Sequence, residues 1–170
     1  MDGIYSKRLL ELKDLKTYQK TIVGLLVQLY TSHDEYLHPI GMGNLSDLWN
    51  EGSDDFKEAT ASLETWVEAF SDKETDAYIY GMFDGRDLIG ICRAFKAENN
   101  IYIGTLIVDA NYRNGGIGRT LLELAIEKLR IKGTKQSLTL SCYAGNVMGM
   151  KLYESIGMKP YAYEMAMMLR

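Results

Sequence analysis

The chain has 170 residues, 46% of them hydrophobic and 25% charged, a length and composition that read as one domain able to bury its own core. Its formal net charge is −4, and no Lys/Arg cluster is dense enough for a nucleic-acid footprint, so nucleic acid is excluded as a partner. Only two prolines and no low-complexity tract exclude a disordered chain. No apolar run nears the ~20 residues of a bilayer span, and the opening MDGIYSKRLLELKD holds no secretory-signal core. The expectation is a cytoplasmic protein with no membrane partner.

In chain order, residues 4–10 read as an opening strand. Leu15 to Tyr30 has helical spacing, with Leu15, Tyr18, Ile22, Leu25, Leu26 and Leu29 on one stripe. Residues 31–52 are rich in Gly, Asn, Asp, Ser and His, and read as a loop or a short broken helix. Asp54 or Asp55 caps a second helix running to about Phe70. Then the period changes to two. Ala77–Phe83 and Leu88–Phe95 are strands joined at Asp84-Gly85-Arg86-Asp87, where Asp-Gly signals a hairpin. Ile101–Val108 completes an antiparallel meander.

Gly116 to about Lys132 is an amphipathic helix, with Gly133 placed as its terminating glycine. Leu138–Tyr143 is a strand and Asn146–Ile156 a helix ended by Gly157. Lys159–Leu169 reads as a last strand pair or one long bent strand, so that Met165 to Leu169 would be buried. The order β, α, α, β, β, β, α, β, α, β gives an α/β fold, a mixed and mostly antiparallel sheet flanked by helices. Cys92 and Cys142 fall in strand-like runs and read as buried reduced thiols, with neither disulfide framework nor zinc spacing. His33 and His38 lack a third ligand, so no metal is expected.

The segment carrying chemistry is Leu106-Ile107-Val108-Asp109 followed by Arg113-Asn114-Gly115-Gly116-Ile117-Gly118-Arg119. It runs strand, glycine-rich turn, helix. The first turn of a helix leaves about four N–H groups unpaired, the helix dipole favours an anion there, and glycines let one approach. Arg113 and Arg119 can add charge-assisted bonds. This is a cradle for phosphate or pyrophosphate. A P-loop does not fit, because Arg119-Thr120 stands where Lys-Ser/Thr is needed. A dinucleotide fingerprint does not fit, because Leu121 replaces its third glycine. A ligand-free glycine turn opening a core helix is the bland alternative.

Arg113-x-x-Gly116-x-Gly118 after a strand ending in Asp resembles the acetyl-CoA motif Gln/Arg-x-x-Gly-x-Gly/Ala of the GCN5-related N-acetyltransferase (GNAT) superfamily. Asn146 follows the next strand as in that family, and Leu152-Tyr153-Glu154-Ser155-Ile156-Gly157-Met158 is similar to its L-Y-E-x-x-G-F signature. The resemblance is detailed from Tyr78 to Arg170 and implies one N-acetyltransferase domain over residues 1–170. It implies acetyl-CoA as cosubstrate, its arm along the main chain of Leu106, Ile107 and Val108 and its pyrophosphate on the amides of Asn114, Gly115, Gly116, Ile117, Gly118 and Arg119. Asn146 would bond the arm, or only cap a helix. Tyr153 would protonate the departing thiolate.

Asn146 and Tyr153 are seven residues apart, which returns to nearly the same helix face about 10 Å along. The usual Glu base position holds Tyr102, leaving a water chain, Glu164 or Glu68 as alternatives. Asp34, Glu35 and Tyr36 would suit a cationic amine, and Tyr161 and Tyr163 either face the acceptor or brace the sheet. The acceptor expected is a small-molecule amine such as a polyamine, aminoglycoside or amino acid. Alternatives are a protein or peptide, or a non-catalytic acetyl-CoA-binding module. Homodimerisation is a further expectation of the resemblance.

Overall fold

Period-two patterning in residues 77–108 builds the centre of the molecule. In the computed structural model, which describes residues 5–37, 54–71, 77–97, 100–163 and 165, β2 (Ala77–Asp84), β3 (Asp87–Ala97) and β4 (Asn100–Val108) form the expected meander. Asp84 pairs with Asp87, so Gly85-Arg86 is a two-residue turn. Gly85 has φ +58°, the positive value that a glycine at the first turn position supplies. β1 (Ser6–Leu9) pairs antiparallel with β2, and β5 (Ser137–Leu140) joins β4 in parallel, giving the order β1-β2-β3-β4-β5.

Helices cover both faces. α1 (Leu12–Thr17), α2 (Gln19–Leu37) and α3 (Asp55–Ser71) lie on one. There Leu15, Ile22, Leu26, Leu63 and Trp66 pack with Ile79, Ile91 and Ile107 of the sheet. α4 (Ile117–Leu129) covers the other, where Ile117, Leu121, Leu122, Ala125 and Leu129 meet Met82, Cys92, Ala94, Ile101 and Ile103. α5 (Val147–Ser155) adds Tyr153 to the edge of this second core, joined by Ile156 just past its end. Alternate residues of each central strand thus feed opposite cores, as a sheet buried on both faces requires.

Several boundaries differ from the sequence reading. The first helix breaks at Tyr18, whose ring packs edge-on against Phe83 at 5.4 Å. It then continues through residues 31–37, expected as loop, because Leu37 is buried and keeps the helix anchored. Residues 38–53 lie outside the described residues. Asp54 caps α3, its side chain accepting from the Phe56 N–H at 2.9 Å. α4 stops at Leu129, capped by the extended Arg130, and Gly133 with φ +82° serves the turn beyond. β5 ends at Leu140, so Cys142 lies past the strand and is only half-buried.

No strand forms over 159–163, where Tyr161 and Tyr163 are 82% and 85% exposed and brace no sheet. Pro160 has no N–H to give a ladder on the open edge of β5. Met165 is exposed as well, against the expected burial, and Glu164 and residues 166–170 lie outside the described residues. Among the described residues, no helix is long and apolar enough to cross a membrane.

Candidate active site

The site begins where β4 loses a partner. Its pairing with β3 runs to Val108, whereas its pairing with β5 ends at Ile103↔Leu140. Gly104 to Val108 therefore have strand hydrogen bonding on one side only. A bulge marks the transition: Arg93 pairs with Thr105 and Ala94 with Ile103, leaving Gly104 unmatched. Past Leu140 the chain leaves the sheet through Ser141–Gly145 and enters α5. Gly145 sits so close to the Tyr36 carbonyl that no Cβ fits between them. That contact ties the last turn of α2 to the entry of α5.

The space between is a cleft of about 390 Å³. Gly104, Thr105 and Leu106 of β4 form one wall, and Ser141–Tyr143, Asn146 and Tyr153 form another. Tyr30, His33 and Tyr36 of α2 close a third side, and Tyr102 of β4 also contributes. The His33 ring lies 4.7 Å from that of Tyr143 and 5.8 Å from that of Tyr30. Burial pushes the Tyr153 phenol well above its ordinary range, so it holds its proton at neutral pH. Desolvation also raises the Cys142 thiol, and pushes Cys92, in the sheet core, up to about 12.

At the far end of the open half, Asp109 starts a short 3₁₀ turn (Ala110–Tyr112) and accepts from the Asn111 N–H at 2.9 Å. Gln28 of α2 grips it, donating to Asp109 Oδ2 at 3.0 Å and accepting from the Ala110 N–H at 3.1 Å. The Gln28 bond is the main cause holding the Asp109 carboxyl below the usual carboxylate range. Asn114 (φ +66°) and Gly116 (φ +77°) then bend the chain into α4. Thr120 N–H makes the first helical bond, to Gly116 O, so the amides of Ile117, Gly118 and Arg119 precede the ladder.

The space over this turn fits a phosphate. A Cβ at Gly115 would meet only Tyr112 O, at 3.7 Å, and one at Gly116 nothing within 4 Å. The chain itself leaves room above amides that favour an anion. Two arginines flank the turn. Arg113 Nε donates to Val108 O at 3.0 Å. Arg119 donates to Ser155 Oγ at 2.5 Å and approaches Glu123 at 3.4 Å. Arg113 thus closes the strand end and Arg119 ties α4 to α5.

Residues 44–158 match the Acetyltransferase (GNAT) family. The chain belongs to this family. Over 74 residues it is 34% identical to N-alpha-acetyltransferase 30 of Dictyostelium discoideum, a match spanning 41% of this chain and 40% of that protein. The chain therefore matches well under half the length of that relative.

Its fold is similar to that of a mutant BH1408 protein from Bacillus halodurans, with TM-score 0.72 and 20% identity, covering 97% of this chain and 99% of the other. It is also similar to the PaiA N-acetyltransferase of Thermoplasma acidophilum in complex with coenzyme A, with TM-score 0.64 and 17% identity over 94% and 92% of the two chains. A third similar structure is the aminoglycoside N-acetyltransferase AAC(6')-Iy in complex with CoA, with TM-score 0.62 and 14% identity over 100% and 97%.

Within the GNAT chain, the expected residues fall into two groups. Leu106, Asn146 and Tyr153 share the cleft. Asn114 to Arg119 form the helix-opening turn beyond Val108. Ile107 points into the core under α2 and is 6% exposed, so only its main chain is available. Asn146 caps α5, accepting from Gly149 N–H at 2.9 Å. Tyr102 reaches toward Ser141 Oγ at 3.4 Å. Glu68 is exposed on α3, beside Leu15, Lys16 and Gln19 of the α1–α2 junction rather than at the cleft.

Among the described residues, no group of three potential ligands is close enough to hold a metal, and His38 lies outside them. Sequence reasoning missed Tyr30 and left His33 in a loop. The signal was there: Leu26, Tyr30, His33 and Leu37 continue the helical spacing of α2 past residue 30.

Proposed function

We propose that this acetyltransferase transfers the acetyl group of acetyl-CoA to the primary amine of a small-molecule acceptor by direct attack, with Tyr153 as general acid. The observation that carries the reading is the placement of a buried, protonated phenol in a walled cleft beside the unpaired edge of β4. The unpaired main-chain groups of Leu106 to Val108 suit an extended cofactor arm, and the glycine turn suits its pyrophosphate. A neutral amine attacks the thioester carbonyl, and a strand N–H in the open half stabilises the developing oxyanion. Tyr153 then gives its proton to the departing sulfur. A high phenol pKa does not oppose this, because a bare thiolate in the same cleft is desolvated too.

His33 is the imidazole that lines the cleft, and we assign it the proton lost by the amine. We read residues 1–170 as one domain in the cytoplasm, and as dimeric, which the family resemblance implies. A peptide acceptor is the second reading, favoured by the local identity with an N-alpha-acetyltransferase.

The test is free-thiol release with an amine panel and N-terminal peptides, repeated with Tyr153→Phe. The variant is expected to lose about 100-fold in kcat with acetyl-CoA affinity unchanged. An unchanged kcat would remove Tyr153 from its role, and turnover of peptides alone would replace the acceptor class.

A further inference from the structure

Thr105 is the second residue of the open half of β4, and the bulge decides where it points. Residues that pair directly across two antiparallel strands stand on the same face. Thr105 pairs with Arg93, whose guanidinium lies 5.4 Å from the ring of Trp66 in α3. A Cβ at Gly104 would meet Arg93 Nη1 and the Phe95 ring, both at 3.2 Å. Gly104 and Thr105 are consecutive, so plain alternation would send them to opposite faces. The bulge instead turns both toward the α2–α3 side, which is how a bulge beside a site re-aims a side chain.

Thr105 is 8% exposed and lines the cleft together with Tyr30, His33 and Tyr36 of α2. Tyr153 lines the same cleft but packs against the core under α4. The edge of β4 therefore runs between two chemically different sides, with a phenol on one and a hydroxyl and an imidazole on the other. An arm extended along Leu106 to Val108 would carry its thioester in the plane of the sheet edge. The Thr105 side chain stands roughly perpendicular to the sheet, toward α2. A buried hydroxyl that opens on a cleft gains most from an entering group with an N–H to give it, since leaving it unbonded costs free energy.

We infer that Thr105 orients the acceptor: its Oγ1 accepts a hydrogen bond from the attacking amino group on the α2 side of β4 and aims the nitrogen lone pair at the thioester carbon. This rests on the acetyl-transfer reading of the cleft, and holds for a small amine and for a peptide N-terminus alike. In the step, the C–N bond forms and the C–S bond breaks. The proton lost by nitrogen goes to His33, and Tyr153 supplies the proton that sulfur takes. Thr105 keeps its own proton throughout and contributes alignment.

The experiment measures free-thiol release by the full chain with cadaverine, phenethylamine, L-phenylalanine and a peptide beginning with alanine, beside calorimetric titration of acetyl-CoA. Thr105→Val keeps the branched shape in the strand and removes the hydroxyl, and Thr105→Ala removes it in a second way. Both are expected to lower kcat/KM by ~10-fold or more for whichever of these acceptors the wild type uses, with acetyl-CoA affinity per folded molecule unchanged. Thr105→Ser, which returns the hydroxyl, should recover most of the loss. Wild-type turnover by a folded Thr105→Val, a Thr105→Ser as impaired as Thr105→Val, or a fall in acetyl-CoA affinity that accounts for the whole loss would overturn the inference and leave acetyl transfer in this cleft standing. No thiol release by the wild type with any amine or peptide would instead remove the transfer reading, and the role of Thr105 with it.

Discussion

The two halves of β4 have the same strand geometry and opposite duties. From Asn100 to Ile103 the strand is zipped between β3 and β5, and Ile101 and Ile103 are 3% and 5% exposed in the α4 core. From Gly104 to Val108 it keeps β3 and has no β5. Backbone polar groups demand partners, so an unpaired strand edge opening on a cleft is a binding surface in waiting. The fold makes its candidate site by ending β5 at Leu140, which leaves the five residues Gly104 to Val108 of β4 without it, and the bulge at Gly104 marks the change.

Substitutions in the two halves should separate stability from binding. Ile103→Ala, in the closed half, is expected to cost about 2–5 kcal/mol, seen as a large fall in denaturant midpoint with little change in acetyl-CoA affinity per folded molecule. Leu106→Ala, only half-buried in the open half, is expected to cost about 1–1.5 kcal/mol and to raise the KM for acetyl-CoA. If Leu106→Ala destabilises as much as Ile103→Ala and leaves KM alone, the two halves are not functionally distinct.

Asn146→Ala comes next. It removes the bond from Gly149 N–H at about 1 kcal/mol. A fall in kcat/KM beyond that expected from fraying would show that Asn146 also serves the cleft.

The smallest effect is at the end of the open half. The Asp109 carboxyl is held below its ordinary range, mainly by Gln28. A depressed folded pKa gives stability that is present above the unfolded value of about 3.9 and is lost as pH falls through the folded one. Gln28→Ala should cost about 0.5–1 kcal/mol near neutrality. It should also flatten the loss of stability as pH falls below about 4, measured by urea titrations at acid pH. An unchanged slope would show that the Gln28 bond does not set the carboxylate's affinity for protons.

Much of the closed half was legible in the sequence. Alternation over 77–108, the Asp84–Asp87 turn and the apolar face of Ile117–Leu129 depend on local periodicity, which single sequences carry well. The turn that opens α4 was legible because the positive φ at Gly116 favours a glycine there. The cleft was less so. His33 and Tyr36 reach it because α2 runs to Leu37, and the polar residues after Tyr30 hid a spacing that continues. The open edge of β4 is a relation between strands 30 residues apart, and Leu138–Tyr143 reads as a longer strand than the three-dimensional arrangement allows.

The most direct test of the open half as the acetyl-CoA site is calorimetric titration of acetyl-CoA into wild type, Gly115→Ala and Gly115→Asp. Gly115 is not in the left-handed region, and its Cβ would have room, so both variants should fold. Roughly micromolar binding is expected for wild type and nearly the same for Gly115→Ala, whereas Gly115→Asp, with a negative charge in the anion cradle, should bind at least ~10-fold more weakly. Equal affinity for wild type and a well-folded Gly115→Asp would contradict the site.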